Sequence, residues 1–184
     1  MLKVYGANFS RASIIQWYLE ELGVEYEFIK LDMKAGENRT PEYLAINPTG
    51  KVPSITDGDF HLWESGAILL YLAEKYGKLP SKLEEKAEIN KWVLFSNSTL
   101  VMGVFIETSR EREIPKLLPP LNEILSGRSF LLGDDFSVAD VAVGSVLHFM
   151  TLMLKFDFQE YPGISNYIKM LGERTAFQKV MGVN

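Results

Sequence analysis

The segment that most constrains this chain runs from Asn47-Pro48-Thr49-Gly50-Lys51-Val52-Pro53 to Trp63-Glu64-Ser65-Gly66-Ala67-Ile68. Val52 to Thr56 reads as a strand with an early proline, a common place for a residue that cannot donate to a ladder. Asp57-Gly58-Asp59 has hairpin chemistry and leads into a second strand, Phe60 to Leu62. The helix that follows opens on an acid and a hydroxyl, Glu64 and Ser65. One edge of this arrangement offers backbone. The other offers a helix N-terminus, whose unbonded N–H groups and dipole favour negative charge. Together they suit a small, peptide-like anion.

The flanking sequence supplies the rest of a small α/β unit. Leu2 to Tyr5 reads as a strand, and Arg11 to Leu22 carries apolar residues at helical spacing (Ile14, Ile15, Tyr18, Leu19, Leu22) with Gly23 as its stop. Tyr26 to Leu31 is a second strand, Pro41 to Ala45 a short helix, and Glu64 to Lys75 a helix closed by Gly77. The predicted order is therefore β-α-β-α-β-β-α over residues 1–77. After a linker at 78–84, residues 85–184 are helical by period. Glu84 to about Arg112 is expected as one long helix, and Pro115 starts another that Pro119-Pro120 bends or restarts. Ser137-Val138-Ala139-Asp140 has the spacing of a capping box at the head of an apolar helix ending near Leu154. Two shorter helices are expected around Ser165 to Gly172 and Ala176 to Val180.

Composition narrows the chemistry. With 47% hydrophobic residues, 184 residues are ample for a buried core. A net charge of −5 argues against a nucleic-acid partner or an anionic membrane surface, since both need a basic footprint. The chain has no cysteine, which removes disulfides, thiolate metal sites and any enzyme whose nucleophile is its own thiol. Met1 to Gly6 contains no signal-peptide core, and the apolar run Val141 to Leu154 is too short to span a bilayer. The expectation is a soluble, cytoplasmic protein. His61 and His148 lack a partner pattern for a metal or a triad and read as structural.

On these residues the chain resembles the cytosolic glutathione S-transferase superfamily, most closely a short bacterial, chi-like type of the kind found in cyanobacteria. The resemblance covers both halves. In that family a valine before a cis-proline pairs with the backbone of the glutathione cysteine, a Glu-Ser pair grips the γ-glutamyl group, and a Ser/Thr-x-x-Asp box opens the sixth helix. It implies an α+β fold: a thioredoxin-like N-terminal domain (βαβαββα) followed by an all-α C-terminal domain that contributes the electrophile site. It also implies a homodimer in which the first domain of one chain meets the second of its neighbour. Glutathione enters as co-substrate, with no metal and no other cofactor.

Glutathione brings two carboxylates and a thiol, and each makes a demand on the protein. Val52 can pair with the cysteinyl backbone if Pro53 is cis, because a cis peptide turns the preceding polar groups outward. Ser65 and the N–H groups of its helix can receive the γ-glutamyl carboxylate, and Glu64 can accept from the α-ammonium. Lys51 is the first choice for the glycyl carboxylate, with Lys34 and Arg39 as alternatives. A free thiol has a pKa of ~8.5, so the thiolate needs a hydroxyl donor and the positive end of the first helix.

Four residues compete for that thiolate. Ser10 lies in the loop Asn8-Phe9-Ser10-Arg11-Ala12-Ser13 before the first helix, where serine-type members carry their catalytic hydroxyl. It falls about one residue late, with Phe9 in the nearer slot. Tyr5 ends the first strand at the spacing from Trp17 associated with tyrosine-type members. Arg11 can stabilise the thiolate directly, and Asn8 can donate to the sulfur. The reading favours Ser10.

The expected activity is conjugation of glutathione to small hydrophobic electrophiles such as aryl halides and isothiocyanates, with some hydroperoxide reduction. The electrophile is expected against an apolar wall between the domains, with Leu100, Met102, Phe105, Ile106, Met150 and Met153 as candidates. Two rivals stand beside this reading. One is a non-catalytic binding or assembly module on the same fold, which would have lost the glutathione grip. The other is a glutathione-dependent isomerase, whose Ser-Ser-Cys motif Asn8-Phe9-Ser10 does not match.

Overall fold

In a computed structural model, residues 1–182 are described. They form two compact units: Met1–Tyr76 together with the described residues from Ala176 onward, and Gly77–Thr175.

The first unit is built on four strands: β1 (Leu2–Gly6), β2 (Tyr26–Lys30), β3 (Ser54–Asp57) and β4 (Phe60–Trp63). Their order in the sheet is β2-β1-β3-β4. β1 runs parallel to β2 and antiparallel to β3, and β3 and β4 form the hairpin expected around Asp57-Gly58-Asp59. The parallel pair needs a crossover, supplied by α1 (Ala12–Leu22), which stops at Gly23 in the left-handed conformation. A 3-10 turn (Glu37–Arg39) and α2 (Pro41–Ile46) lead into β3, and α3 (Ser65–Lys75) follows β4. This is the thioredoxin-like βαβαββα order.

Alternation along β1 buries Leu2, Val4 and Gly6. Val4 and Ile55 of the sheet, Ile15, Trp17 and Leu19 of α1, and Ile68, Leu69 and Leu72 of α3 are all fully buried. Gly6 is fixed by a close approach: a Cβ there would lie 2.4 Å from that of Ala12 and 2.7 Å from the Phe28 ring. Only glycine lets α1 begin so close to the end of β1.

The second unit is helical but is segmented differently from the sequence expectation. The stretch from Glu84 to Arg112 is not one helix. α4 (Leu83–Leu94) passes through a π-helical turn (Phe95–Leu100) into α5 (Val101–Phe105), and the chain then breaks at Ile106, which is extended (φ −82°, ψ 114°). α6 (Glu107–Leu125) starts there and runs through Pro115, Pro119 and Pro120 without restarting. Each proline frees the carbonyl four residues before it. Those carbonyls belong to Glu111, Pro115 and Lys116, all exposed, so solvent can satisfy them.

α7 (Val138–Leu154) carries the expected capping box: Ser137 Oγ accepts from the Ala139 N–H (3.2 Å), and Asp140 accepts from the Ser137 N–H (2.8 Å). Asp140 is fully buried and also receives the Leu131 N–H and the Tyr167 hydroxyl, each at 2.9 Å. Burial nevertheless raises its pKa above the ordinary aspartate value. It ties the head of α7 to the loop before it and to α8 (Pro162–Gly172). The box is therefore structural.

The last helix, α9 (Thr175–Met181), departs from the predicted division, which placed all of 85–184 in the helical domain. From Ala176 onward the described chain joins the first unit. Phe177 packs edge-on against Trp17 at 4.9 Å, and Lys179 pairs with Glu20 at 2.6 Å. Helical period shows that such a segment coils, but not against what. No helix among the described residues is long and apolar enough to cross a membrane.

Candidate functional site

Three segments of the first unit build the site: the loop before β3, the head of α3, and the turn between β1 and α1.

The loop from Asn47 to Pro53 is held chiefly by Asn47, Tyr43 and Asn38, to whose side chains the sequence reading gave no role. Asn47, 1% exposed, accepts from the N–H and hydroxyl of Thr49 (3.0 and 2.8 Å) and donates to the Lys51 carbonyl (2.8 Å). The Tyr43 hydroxyl donates to the same carbonyl at 2.5 Å and also bonds to Ser54 Oγ. Buried Asn38 donates to the Gly50 carbonyl at 2.7 Å. Gly50 itself is buried with φ +63°, and a Cβ there would meet the Asn38 carbonyl oxygen at 2.8 Å. Arg39 donates to the Thr49 carbonyl from outside. An asparagine two residues before a hydroxyl residue is a turn signal that the sequence did offer.

This scaffold presents Val52. The Val52-Pro53 bond is cis, and Pro53 is buried. The β1–β3 ladder starts only at Ser54, opposite Tyr5. Among the described residues, neither the N–H nor the carbonyl of half-buried Val52 has a hydrogen-bond partner. Backbone polar groups are rarely left unpaired in folded proteins, so this short edge is open to an extended peptide. Lys51, adjacent, holds its side chain exposed.

At the head of α3, Glu64 is the N-cap residue with φ +72° and ψ 117°, and its side chain makes no capping bond. A non-glycine residue there carries strain of roughly 1–3 kcal/mol, a cost typically retained at ligand sites. Ser65 is the first helical residue and is 3% exposed. The N-cap side chain thus leaves the helix terminus uncovered, as an anion-binding terminus requires.

The third segment is the turn from Ala7 to Arg11. Ser10 Oγ donates to the Ala7 carbonyl (2.8 Å) and accepts from the N–H groups of Ala7 (3.1 Å) and Ala12 (3.3 Å). Ser10 therefore pins the entry to α1 while lying half-buried at that helix's N-terminus. Arg11 follows as the N-cap residue; burial lowers its pKa from the ordinary arginine value, and the Glu64 carboxylate opposes that shift. This Arg11–Glu64 attraction links the start of α1 to the start of α3. Tyr5 instead faces α2, its ring 5.7 Å from Tyr43, and its hydroxyl has no hydrogen bond among the described residues. Asn8 lies in the same turn as Ser10 and is exposed.

Of the electrophile-wall candidates, Leu100 and Met150 are fully buried and belong to the core of the second unit. They cannot touch a ligand without repacking, which corrects that expectation. Met102, Ile106 and Met153 are exposed and Phe105 is half-buried. No group of three or more His, Cys, Asp or Glu side chains that could hold a metal occurs among the described residues.

Residues 1–74 match the family described as Glutathione S-transferase, N-terminal domain, and residues 107–169 match Glutathione S-transferase, C-terminal domain. The chain is 30% identical over 166 residues to Glutathione S-transferase F10 of Arabidopsis thaliana, covering 77% of each protein. Its fold is similar to that of glutathione transferase F7 from Populus trichocarpa (TM-score 0.82, 27% identity, all of both chains). A glutathione transferase from Burkholderia graminis, solved with two glutathione molecules per subunit, is similar at TM-score 0.83 and 27% identity over 98% of this chain and 87% of that one.

Proposed function

This chain belongs to the glutathione S-transferase family, and on that footing we propose that it binds glutathione in the first unit and directs its thiolate onto small hydrophobic electrophiles. The observation that carries the reading is the open backbone edge of Val52 beside the uncapped head of α3. Val52 pairs with the cysteinyl residue in an antiparallel manner. The N-terminus of α3, with Ser65, receives the γ-glutamyl carboxylate, and Glu64 accepts from its ammonium. Lys51 takes the glycyl carboxylate.

Ser10 is the proposed thiolate donor. It stands at the positive end of α1, next to Arg11, whose charge reaches the Glu64 end of the ligand. The contact of Tyr5 is with the Tyr43 ring, 5.7 Å away. For Ser10 to act, its hydroxyl proton rotates from the Ala7 carbonyl to the sulfur, and the freed carbonyl turns to solvent. Lowering a thiol pKa by ~2 units is worth ~2.7 kcal/mol and makes the thiolate predominant near neutrality. The thiol proton leaves to solvent. The sulfur pair then forms a C–S bond: an aryl halide loses halide with its bonding pair, and an isothiocyanate takes up a proton on nitrogen. Positioning and charge stabilisation suffice for either step. Aryl halides and isothiocyanates are the proposed substrates, with hydroperoxide reduction as a side activity of the same thiolate. The same reading makes the protein a cytoplasmic homodimer.

One observation favours a second reading, a glutathione-binding module without catalysis: the Ser10 proton is already engaged by Ala7. Calorimetric titration with glutathione and with cysteinylglycine, alongside turnover of an aryl halide, separates the two. The transferase reading expects glutathione to bind at least ~10-fold tighter than the truncated peptide, and turnover above background. Tight binding without turnover moves the assignment to the module. Equal, weak binding of both peptides removes the site assignment itself.

A further inference from the structure

The loop that presents Val52 is tied to the first strand through two aromatic rings. Tyr43 comes from α2, a helix of 6 residues, which is marginal on its own and cannot fix a side chain by its backbone bonds alone. Yet the Tyr43 hydroxyl does two things at once. It donates its single proton to the Lys51 carbonyl at 2.5 Å, which makes Ser54 Oγ the donor of the second bond, at 3.0 Å. One atom thus grips the chain on both sides of Val52-Pro53. Burial pushes that hydroxyl above the ordinary tyrosine pKa, so the proton is retained.

What steadies the Tyr43 ring is Tyr5. The two ring centroids are 5.7 Å apart with planes tilted by 52°, a favourable aromatic pair. Tyr5 is also the residue of β1 directly opposite Ser54 in the ladder, so its side chain leaves the sheet on the same face as Ser54 Oγ. β1 is paired on both sides, by β2 and β3, which makes Tyr5 a rigid support. The Tyr5 hydroxyl has no hydrogen bond among the described residues, so the contact is made by the ring and not by the phenol.

We propose that Tyr5 is a positioning residue for glutathione: its ring braces Tyr43, and through Tyr43 the Lys51–Ser54 segment whose Val52 backbone receives the peptide. The inference rests on the glutathione-binding part of the reading above. It gives the strand tyrosine a part in affinity and none in the chemistry at sulfur. It also makes the two tyrosines one unit, in which a change at Tyr5 matters only while the Tyr43 hydroxyl is there to be held.

The test is a mutant cycle over wild type, Tyr5→Phe, Tyr5→Leu, Tyr43→Phe and the double variant Tyr5→Leu/Tyr43→Phe. It is read by the calorimetric Kd for glutathione, by melting temperature, and by kcat and its pH profile for an aryl halide at saturating glutathione. Kd is expected to rise about tenfold in Tyr43→Phe and about fivefold in Tyr5→Leu. Tyr5→Phe, which keeps the ring, should hold the wild-type Kd, and the double variant should bind no more weakly than Tyr43→Phe alone. In every variant kcat should stay within about twofold of wild type, with the thiol pKa unmoved. A lowered melting temperature with Kd unchanged in Tyr5→Leu overturns the proposal, since that is what a merely structural role produces. Losses that multiply in the double variant overturn it too, as does a raised thiol pKa in Tyr5→Leu, which would place Tyr5 at the sulfur. Should Tyr5→Leu not fold, Tyr5→Met takes its place under the same expectations. If wild type binds glutathione without turning over the aryl halide, the transferase reading fails while Kd still decides the role of Tyr5. Wild type that binds no glutathione removes both.

Discussion

The two loops that frame the site are held in opposite ways. The loop before β3 is pinned several times over: Asn47, Tyr43 and Asn38 each fix a carbonyl within it, and Gly50 fills a place that admits no side chain. The turn before α1 is held through Ser10, whose hydroxyl bonds Ala7 and Ala12 and whose carbonyl accepts from Ser13, and it leaves the Phe9 phenyl in solvent. On the proposed reading, one loop presents backbone to a ligand that must be read the same way each time. The other presents side chains to a reacting atom and its variable partner. On the proposed reading the first loop sets affinity for the common substrate and the second sets turnover.

Substitutions can break that division or sharpen it. The largest effect is expected from Asn47→Ala, which strips three hydrogen bonds from a buried side chain at roughly 1–3 kcal/mol for a buried group left unpaired. Thermal unfolding should move down by several degrees and the glutathione Kd should rise at least tenfold, read by calorimetry. An unaltered Kd would mean that the loop does not present Val52.

Glu64→Gly should act in two directions at once. Glycine accepts φ +72° without strain, so melting temperature is held or raised, while loss of the carboxylate weakens glutathione binding by about tenfold. The change also removes the charge opposite Arg11. Stability and affinity falling together would show that the strained backbone is structural rather than retained for the ligand. The smallest effect belongs to Lys51→Ala. An exposed lysine facing a carboxylate contributes at most ~1 kcal/mol, screened by salt, so a Kd rise of a few-fold at low ionic strength should fade toward 0.5 M salt. A salt-independent loss would point to backbone disturbance instead.

Much of the binding half was legible because backbone demands leave marks in sequence. A proline opening a strand, Asp-Gly-Asp between two short apolar runs, and Glu-Ser heading a helix each have a local physical cause; the hairpin and the helix stand where they were expected, while the strand expected from Val52 begins only at Ser54. The Ser137-x-x-Asp140 box was legible for the same reason. What could not be read is tertiary. No proline lies near Ile106, and Gly103 sits inside α5 rather than just past its end, so periodicity carried the predicted helix straight through a break. Pro115, Pro119 and Pro120 looked like interruptions, yet the carbonyls they release are exposed and the helix continues. Phe177 and Lys179 show helical spacing without naming Trp17 and Glu20 as their partners. The locking roles of Asn38 and Tyr43 depend on contacts with residues eight to twelve positions away, which no short motif encodes.

The claim at the centre of this account is that Ser10, at the head of α1, holds the glutathione thiolate. The pH dependence of kcat/KM for an aryl halide, measured for wild type, Ser10→Ala, Arg11→Ala and Tyr5→Phe, tests it directly. The account predicts that Ser10→Ala lowers turnover by ~10²-fold and raises the apparent thiol pKa by a unit or more, with Arg11→Ala a smaller shift in the same direction and Tyr5→Phe close to wild type. The opposite pattern, a full-strength loss in Tyr5→Phe with Ser10→Ala active and its pKa unmoved, contradicts it and transfers the role to the strand.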